Sequence, residues 1–111
     1  MLTDVNTFLL TWNPVYGGLD ESTIRRDVEL TAQGKHAPGR WNTGGTTRKI
    51  KPGDRVFLLV LGSGDHGIFA SGFTTSEVYK EVHWNDPRKL ANYVDLEWDE
   101  FLEPADALPG D

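Results

Sequence analysis

The class of fold follows from one segment, in which Ile50-Lys51-Pro52-Gly53-Asp54 leads into Arg55-Val56-Phe57-Leu58-Leu59-Val60-Leu61. Proline and glycine in the first part are typical of a turn, because each supplies a backbone conformation that turns require. The second part is apolar after Arg55 and rich in β-branched and aromatic side chains, which predicts a strand buried on both faces. A turn that leads directly into such a strand indicates a β-rich domain.

Shorter β-prone runs lie on both sides of this segment. Thr7–Trp12 ends just before Pro14, which cannot donate to a sheet ladder, and Ile68–Thr74 contains Gly72, which predicts a bulge or a bend of a barrel. Asn92–Trp98 alternates apolar and acidic residues, which is typical of a strand with one face in water. We expect these runs to contribute to one small sheet.

One helix is predicted over roughly residues 20–33, because Asp20 opens a run of N-cap candidates and first-turn acids and Gly34 is a stop signal. Residues 34–47 contain four glycines and one proline, and they are expected to form a loop. Short strands, glycine-rich loops and one or two helices predict an α+β fold with a small mixed sheet or a partly open barrel.

The chain of 111 residues has the length of one domain. Residues 1–103 are expected to form this domain. Residues 104–111 contain two prolines and no aromatic residue, and they are expected to be a flexible tail or the start of a linker.

Composition excludes several classes of protein. The sequence has no cysteine, which rules out disulfide frameworks, thiolate metal sites and cysteine nucleophiles. The longest apolar run, Val56–Leu61, is far shorter than the roughly 20 residues of a membrane span, and the N-terminus lacks the basic residues of a signal peptide. We therefore expect a cytoplasmic protein with no membrane partner.

The formal net charge of −6 is unevenly distributed. Seven acids and no base lie between Asp95 and the C-terminus, so residues 1–94 carry 11 bases against 10 acids. Five of those bases lie between Arg40 and Arg55, where Asp54 is the only acid. A positive face for nucleic acid and a solvated surface strip both fit this charge pattern.

Signatures of catalysis are weak. The three histidines, His36, His66 and His83, have no partner at metal-ligand spacing. Neither a Gly-x-x-x-x-Gly-Lys phosphate loop nor a Gly-x-Ser-x-Gly nucleophile elbow is present in the sequence. We therefore expect that this chain alone is not an enzyme, and no catalytic residue, metal or cofactor is assigned to it.

The tryptophans carry more information. Trp12, Trp41 and Trp84 stand beside polar or turn-forming residues, whereas Trp98 alternates with acids in a predicted strand and is expected in the core. Aromatic faces can sandwich a planar base while neighbouring amides and hydroxyls read its edge. Tryptophans in loops also serve as packing lids, so a ligand pocket and a structural role are both open at this point.

Four blocks of the sequence resemble an EVE domain, in that family's order and with similar spacing over roughly residues 5–102. They are Phe8-Leu9-Leu10-Thr11-Trp12-Asn13-Pro14, Gly39-Arg40-Trp41, Ile50-Lys51-Pro52-Gly53-Asp54-Arg55-Val56-Phe57-Leu58 and Gly67-Ile68-Phe69-Ala70-Ser71-Gly72. The sequence is most similar to the EVE-like module at the N-terminus of certain HNH endonucleases of modification-dependent restriction. This family belongs to the PUA-like superfamily, so the resemblance implies a small bent β-barrel of about five to six strands with one to three flanking helices.

The resemblance also implies a reader of modified nucleic-acid bases. The related YTH domains hold a methylated adenine between aromatic walls, and EVE modules are associated with modified cytosine in DNA. Trp41-Asn42-Thr43 is similar to the YTH segment whose tryptophan forms one wall, and Trp84 is similar to a second wall residue. Trp12 and Asn13 are implied to line the pocket where the first strand ends.

Phosphate contacts are expected from four basic side chains, because lysine and arginine neutralise the nucleic-acid backbone. These side chains are Arg40, Arg48, Lys49 and Lys51.

Taken with the resemblance, these residues predict a module that binds double-stranded DNA carrying modified bases. It would flip a modified base, in the first instance 5-methylcytosine or 5-hydroxymethylcytosine, into an aromatic cage. Its role would be that of specificity domain in an endonuclease whose HNH nuclease domain follows on the C-terminal side. The alternatives are an RNA-binding PUA-like module that recognises a modified RNA base, a sensor of a small molecule or nucleotide, and a structural domain with every tryptophan packed inside.

Overall fold

The computed structural model describes residues 6–44, 49–61, 67–83 and 86–108, and over these residues six strands form one mixed sheet against which an α-helix packs. In chain order the elements are β1 (Thr7–Trp12), α1 (Glu21–Ala32), β2 (Ala37–Asn42), β3 (Arg55–Val60), β4 (Gly67–Thr74), β5 (Tyr79–Val82) and β6 (Leu90–Phe101). Short 3₁₀ helices lie at Pro14–Tyr16 and Pro104–Asp106. The predicted α+β class, with a bent barrel-like sheet of five to six strands and a flanking helix, is confirmed.

The sheet curls into a half-barrel. Its strand order is β1-β3-β4-β6-β2, with β5 paired to β6 beyond the end of β4. The pairing of β1 with β3 is parallel, and the other pairings are antiparallel. Strands β1 and β2 are therefore the two edges of the sheet. The gap between these two edges is called the seam below.

The core fills the concave side of the half-barrel. From β3, Val56, Leu58 and Val60 are buried, whereas the residues between them are only half-buried, so the prediction that this strand is buried on both faces is wrong. The reason is that the curled sheet and its one helix enclose the concave face, whereas the other face of the sheet stays partly in water. The other strands, α1 and the segment before β3 complete the cluster with Leu10, Trp12, Ile24, Ala37, Ile50, Phe69, Ala70, Val94, Leu96, Trp98 and Phe101. Trp98 is 3 % exposed, which confirms its predicted place in the core.

Helix α1 agrees with the sequence prediction to within a residue at each end. The Asp20 side chain accepts a hydrogen bond of 2.7 Å from the Thr23 backbone N–H, which is the N-cap arrangement. This backbone hydrogen bond holds the pKa of Asp20 below its usual value. Gly34, at φ +77°, follows the end of the helix. No helix in the described part of the chain is long and apolar enough to cross a membrane.

Strand β2 is absent from the sequence prediction, which placed a loop over residues 34–47. Pro38 lies at a position of β2 whose backbone points away from β6, so the missing N–H removes no bond of this ladder. Gly39 faces the core, where a Cβ would lie 3.0 Å from Trp98 Nε1. Both residues that suggest a loop are therefore compatible with an edge strand, and pairing with β6 decides the conformation.

The C-terminal residues also differ from the expectation of a flexible tail from residue 104. After the 3₁₀ helix Pro104–Asp106, Leu108 exchanges two backbone hydrogen bonds with Ile68, at 2.8 and 2.9 Å. The proline-containing segment thus docks on β4, because its backbone groups find partners on the start of that strand. Residues 109–111 lie outside the described residues.

Gly72 bends β4, as the sequence predicts. The register between β4 and β6 shifts between Ser71 and Gly72, which is the mark of a β-bulge. A Cβ at Gly72 would lie 2.2 Å from the Glu97 carbonyl oxygen, so β6 approaches the bulge too closely for any side chain. The curl of the sheet therefore depends on glycine at this position.

We predict that Gly72→Ala lowers the free energy of unfolding by about 3 kcal/mol, because rigid backbone must move to accept the methyl group. The matched control is Gly34→Ala, where φ is +77° and no atom lies within 4 Å of the new Cβ. That substitution should cost only the conformational penalty of about 1–2 kcal/mol. Urea denaturation of both variants measures the difference, and equal losses would contradict the bulge argument.

Candidate functional site

A cleft of about 450 Å³ opens along the seam. Its walls come from the end of β1 and the turn after it, from the end of β2 and the residues after it, and from one residue of β6. The lining residues are Leu9, Leu10, Thr11, Trp12, Asn13, Gly17, Gly18, Arg40, Trp41, Asn42, Thr43, Gly44 and Tyr93. This space is called the seam cleft below.

One wall of the seam cleft is the free edge of β1. The carbonyl oxygens of Asn6 and Trp12 accept hydrogen bonds from the β3 side, at 2.9 and 2.8 Å. Hydrogen bonding alternates along a strand, so the even-numbered residues of β1 face β3. The backbone groups of Leu9 and Thr11 therefore point into the seam.

The opposite wall is the free edge of β2. Thr43 N–H donates to the Asn92 carbonyl oxygen at 2.9 Å, which places the odd-numbered residues of β2 in the ladder with β6. The backbone N–H and C=O groups of Arg40 and Asn42 consequently point into the seam. Two sheet edges thus present hydrogen-bonding groups to the same space.

Trp41 joins the two edges. Its indole Nε1–H donates a hydrogen bond of 3.1 Å to the Thr11 carbonyl oxygen across the seam. The ring is half-buried and packs against the hydrophobic core. The indole plane is therefore fixed at the cleft, as a stacking wall requires, and the predicted role of Trp41 is compatible with its position.

Trp12 is packed mostly into the core and is not a free aromatic wall of the cleft. It is 8 % exposed, and its ring lies 5.6 Å from that of Phe69 in the core. Its Nε1–H donates to the Gly17 carbonyl oxygen at 2.9 Å, which ties the turn after β1 to the strand. Trp12 lines the seam cleft, as the resemblance implies, but most of its surface serves packing.

The two asparagines of the seam cleft are oriented by backbone N–H groups. Asn13 Oδ1 accepts from Val15 N at 3.0 Å, and Asn42 Oδ1 accepts from Gly44 N at 2.7 Å. Because a backbone N–H can only meet the oxygen of the amide, each Nδ2 amino group is the part left to donate to a ligand. Thr43 also lines the cleft.

Arg40 lines the cleft and stacks on one aromatic residue. Its Cζ lies over the Tyr93 ring, 4.4 Å from the ring centroid. Nearby, the Tyr79 hydroxyl donates a hydrogen bond of 2.5 Å to Asp95 Oδ1. Burial, together with the hydrogen bond to Asp95, raises the pKa of the Tyr79 hydroxyl, whereas the neighbouring Arg40 opposes that rise. A compact group of Arg40, Tyr79, Tyr93 and Asp95 therefore borders the site.

The remaining predicted residues are not part of the described lining. Trp84 and Arg48 lie outside the described residues, and Lys49 and Lys51 are exposed. The backbone N–H groups of Lys51 and Asn6 both donate to the Asp54 carboxylate, so Lys51 lies at the start of β1. That is about 16 Å along the strand from Thr11, at a rise of roughly 3.3 Å per residue. Of the four predicted phosphate contacts, Arg40 lines the seam cleft.

Sequence reasoning missed the part of the site that the sheet edges create. Leu9, Thr11, Gly17 and Gly18 have no chemical signature of their own, and Tyr93 appears in the sequence only as one more apolar position of an alternating strand. The strongest sequence signal for the site was the Gly39-Arg40-Trp41 block, which resembles an EVE domain. This block contains Trp41, the expected aromatic wall, and its charged neighbour Arg40.

Comparison with known proteins shows the fold alone. No family model matches this sequence, and no curated protein sequence matches it. The fold is similar to the solved structure of a hypothetical protein from Leishmania major, with a TM-score of 0.53 and 14 % sequence identity. The similarity covers 88 % of this chain and 67 % of that chain.

We predict that Trp41→Phe opens the seam, because phenylalanine keeps an aromatic ring but has no N–H for Thr11. The free energy of unfolding should fall by about 1 kcal/mol, the usual net contribution of a hydrogen bond. Amide hydrogen exchange at Arg55 and Leu61, whose N–H groups donate to carbonyl oxygens at the two ends of β1, should become faster than in the wild-type protein, because β1 loses its link to β2.

Trp12→Phe is the matched control, since it removes an indole N–H that bonds Gly17 within the same turn. It should leave the seam hydrogen bond in place, whatever it costs in global stability. Unchanged exchange and stability in Trp41→Phe would contradict the role given to the Trp41 bridge.

Proposed function

We propose that this chain is a DNA-binding reader module that holds a flipped, modified base in the seam cleft and performs no catalysis itself. The observation that carries the proposal is the position of Trp41, an indole face fixed by its own hydrogen bond beside two sheet edges whose backbone groups point into one cavity. A planar ligand with a polar edge fits such a space. A modified cytosine, either 5-methylcytosine or 5-hydroxymethylcytosine, is the base that we propose.

The dimensions of the seam cleft support this function. Its volume of about 450 Å³ falls within the range of about 300–1,000 Å³ that is common for ligand pockets. Polar residues and glycines supply most of the lining, and Leu9, Leu10, Trp12, Trp41 and Tyr93 supply its apolar and aromatic part. Such a lining offers many groups that could read the edge of a base, together with an aromatic face.

The energetics of base flipping also fit. Removing a base from the DNA stack costs a few kcal/mol, and stacking on an aromatic side chain returns about 1–3 kcal/mol per base. Burial of one methyl group adds only about 0.8 kcal/mol, which is roughly a fourfold preference. Selectivity for a modified base therefore requires hydrogen bonds to the base edge as well as a niche for its substituent.

The polar groups of the seam cleft match the edge of cytosine. Because Asn13 Oδ1 and Asn42 Oδ1 already accept backbone N–H groups, both side chains offer Nδ2 donors. Cytosine presents acceptors at O2 and N3 and a donor at its amino group. The backbone carbonyl groups of β2 that face the seam are suitable acceptors for that amino group.

Charge supports modest affinity for unmodified DNA. Among the lining residues that the structure describes, Arg40 is the charged one, in a protein whose formal net charge is −6. Two acids of β6 are engaged away from the cleft, since Glu97 contacts His36 and Asp99 contacts Arg55 and Ser71, whereas Asp95 borders the site. Few phosphate contacts mean weak binding to unmodified DNA, which helps a reader to find rare marks.

We further propose that the module works in the cytoplasm as the specificity domain of a modification-dependent HNH endonuclease. The support is the resemblance of the Trp12-Asn13-Pro14 and Gly39-Arg40-Trp41 blocks to the EVE-like modules of such enzymes. In that role the chain would select DNA that carries modified cytosine, and a nuclease domain would cut it.

Fluorescence anisotropy of labelled duplexes tests the proposal. Four duplexes differ in one central base, which is cytosine, 5-methylcytosine, 5-hydroxymethylcytosine or N6-methyladenine. We expect one of the two modified cytosines to bind at least about tenfold tighter than cytosine, a difference of about 1.4 kcal/mol. Affinity for that duplex should fall in the order wild type, Trp41→Phe, Trp41→Ala, because phenylalanine keeps part of the stacking face.

Other outcomes identify the alternatives. Equal binding of all four duplexes contradicts the DNA-reader proposal. In that case, tight binding of single-stranded RNA with a modified base would indicate an RNA-binding module, and tight binding of a free modified nucleoside would indicate a sensor. A preference for N6-methyladenine would retain the reader function but overturn the choice of cytosine.

A further inference from the structure

We infer that Val82 and Leu90, called the apolar pair below, form a wedge that enters the DNA stack and fills the gap left by the flipped base. This inference rests on the proposed function and deepens it, because it names the part of the chain that holds the duplex open while the base lies in the seam cleft. Neither residue of the pair lines the cleft itself.

The apolar pair consists of two large side chains that the core does not cover. Val82 ends β5 and Leu90 begins β6, and the two residues are directly opposite each other in the antiparallel ladder. Side chains of opposite residues lie next to each other on one face of a sheet. Val82 is nevertheless 49 % exposed and Leu90 69 % exposed. Adjacent apolar side chains left in water indicate a contact surface, whereas isolated ones are common on any protein.

The apolar pair lies close to the seam cleft. Leu90 precedes the lining residue Tyr93 by three residues on β6, which is about 10 Å at a rise of roughly 3.3 Å per residue. Between them, the Asn92 carbonyl oxygen accepts a hydrogen bond of 2.9 Å from Thr43 N, and Asn92 Nδ2 donates to the Gly44 carbonyl oxygen at 2.9 Å. Thr43 and Gly44 belong to the wall of the cleft. The hairpin of β5 and β6 is thus tied to that wall.

The apolar pair shares a face of the sheet with the Trp41 indole. Side chains alternate along a strand, so Leu90 lies on the same face as Val94, which is buried in the core. Val94 is directly opposite Trp41 in the pairing of β2 with β6. The register of β6 with β2 and with β5 shows no shift over these residues. A duplex that brings a base to Trp41 can therefore contact the apolar pair as well.

Basic side chains border the apolar pair. Lys80 precedes the valine by two residues on β5 and lies on the same face, whereas the intervening Glu81 points to the opposite face. Arg88 and Lys89 come directly before the leucine and are exposed. The one acid of residues 83–89, Asp86, accepts hydrogen bonds of 3.0 and 3.2 Å from Arg88 N and Nε. An apolar surface bordered by cations fits a base step between two phosphate backbones.

The proposed function creates the need for such a wedge. A base that leaves the duplex removes the stacking partner of its neighbours, and the seam cleft can hold the base but cannot fill the space it came from. Proteins that open the base stack insert apolar side chains such as leucine between base steps. The apolar pair is a surface of this chemistry beside the cleft.

Fluorescence anisotropy with double-stranded and single-stranded DNA carrying the same modified cytosine tests the wedge. A single strand has no duplex stack to open, so a wedge contributes to duplex binding alone. We expect Leu90→Ala to weaken binding of the preferred duplex about tenfold, the lower end of what burial of a leucine side chain contributes, and binding of the single strand less than about twofold.

Three further variants serve as controls. Leu90→Met stays large and apolar and should bind the duplex nearly as the wild-type protein does. Leu90→Asn has a similar size but is polar and should behave like Leu90→Ala. Leu108→Ala removes a leucine that is also exposed, by 58 %, but pairs with Ile68 at the start of β4, and it should change neither affinity. Urea denaturation of each variant shows that it is folded.

Three results would overturn the inference. Leu90→Ala would bind the duplex as tightly as the wild-type protein does. Alternatively, it would weaken binding of duplex and single strand equally, as an ordinary contact to one strand does. In the third case, size-exclusion chromatography would show a wild-type dimer that Leu90→Asn dissociates, and the apolar pair would then be an interface between copies of this chain.

Failure of the wedge and failure of the proposed function are distinguishable, because the function is tested on the wild-type protein alone. If the wild-type protein discriminates modified from unmodified duplexes and Leu90→Ala binds them with the same affinities, only the wedge is overturned. If the wild-type protein does not discriminate, the proposed function fails, and the wedge fails with it because no base is flipped.

Discussion

The hydrogen bond from Trp41 Nε1 to the Thr11 carbonyl oxygen connects the two edges of a sheet that curls without closing. A fully closed barrel would pair β1 with β2 and leave no cavity between them. A wider gap would leave the edges of both strands open to water and to other chains. The indole therefore sets the width of the seam, and the same ring that sets this width is the wall on which a ligand would stack.

The seam brings the free edges of two strands together in one cleft, and in the proposed function this cleft holds the base. Unpaired backbone groups at a sheet edge need partners, and here the alternation along β1 and β2 directs two sets of them into one cleft. The rigid parts of the fold support this arrangement. The bulge at Gly72 curls the sheet, and the contact of Gly39 with Trp98 holds β2 close to the core. Recognition in this account depends on backbone geometry as much as on side-chain identity.

The sequence was a good guide wherever local signals and tertiary structure agreed. Asp20 and Gly34 mark the ends of α1, Gly72 marks the bulge, and the alternation before Trp98 identifies part of β6. Strand β2 was missed because Pro38 and Gly39 are turn residues by propensity, and only pairing with β6 makes them a strand. The cleft itself could not be predicted from the sequence, for a related reason. Which backbone groups of Thr11 or Arg40 face the seam depends on register, and register is a property of the assembled sheet.

Binding of a ligand in the seam can be tested by a titration of ¹⁵N-labelled protein that is followed by ¹H–¹⁵N correlation spectra. The ligand is the duplex that carries 5-methylcytosine, with the unmodified duplex as the reference. We expect the largest modification-dependent shifts at the Trp41 indole N–H and at the backbone amides of Leu9, Thr11, Arg40 and Asn42. Shifts concentrated on α1 or on the convex face of β3 and β4, with the Trp41 signal unmoved, would contradict it.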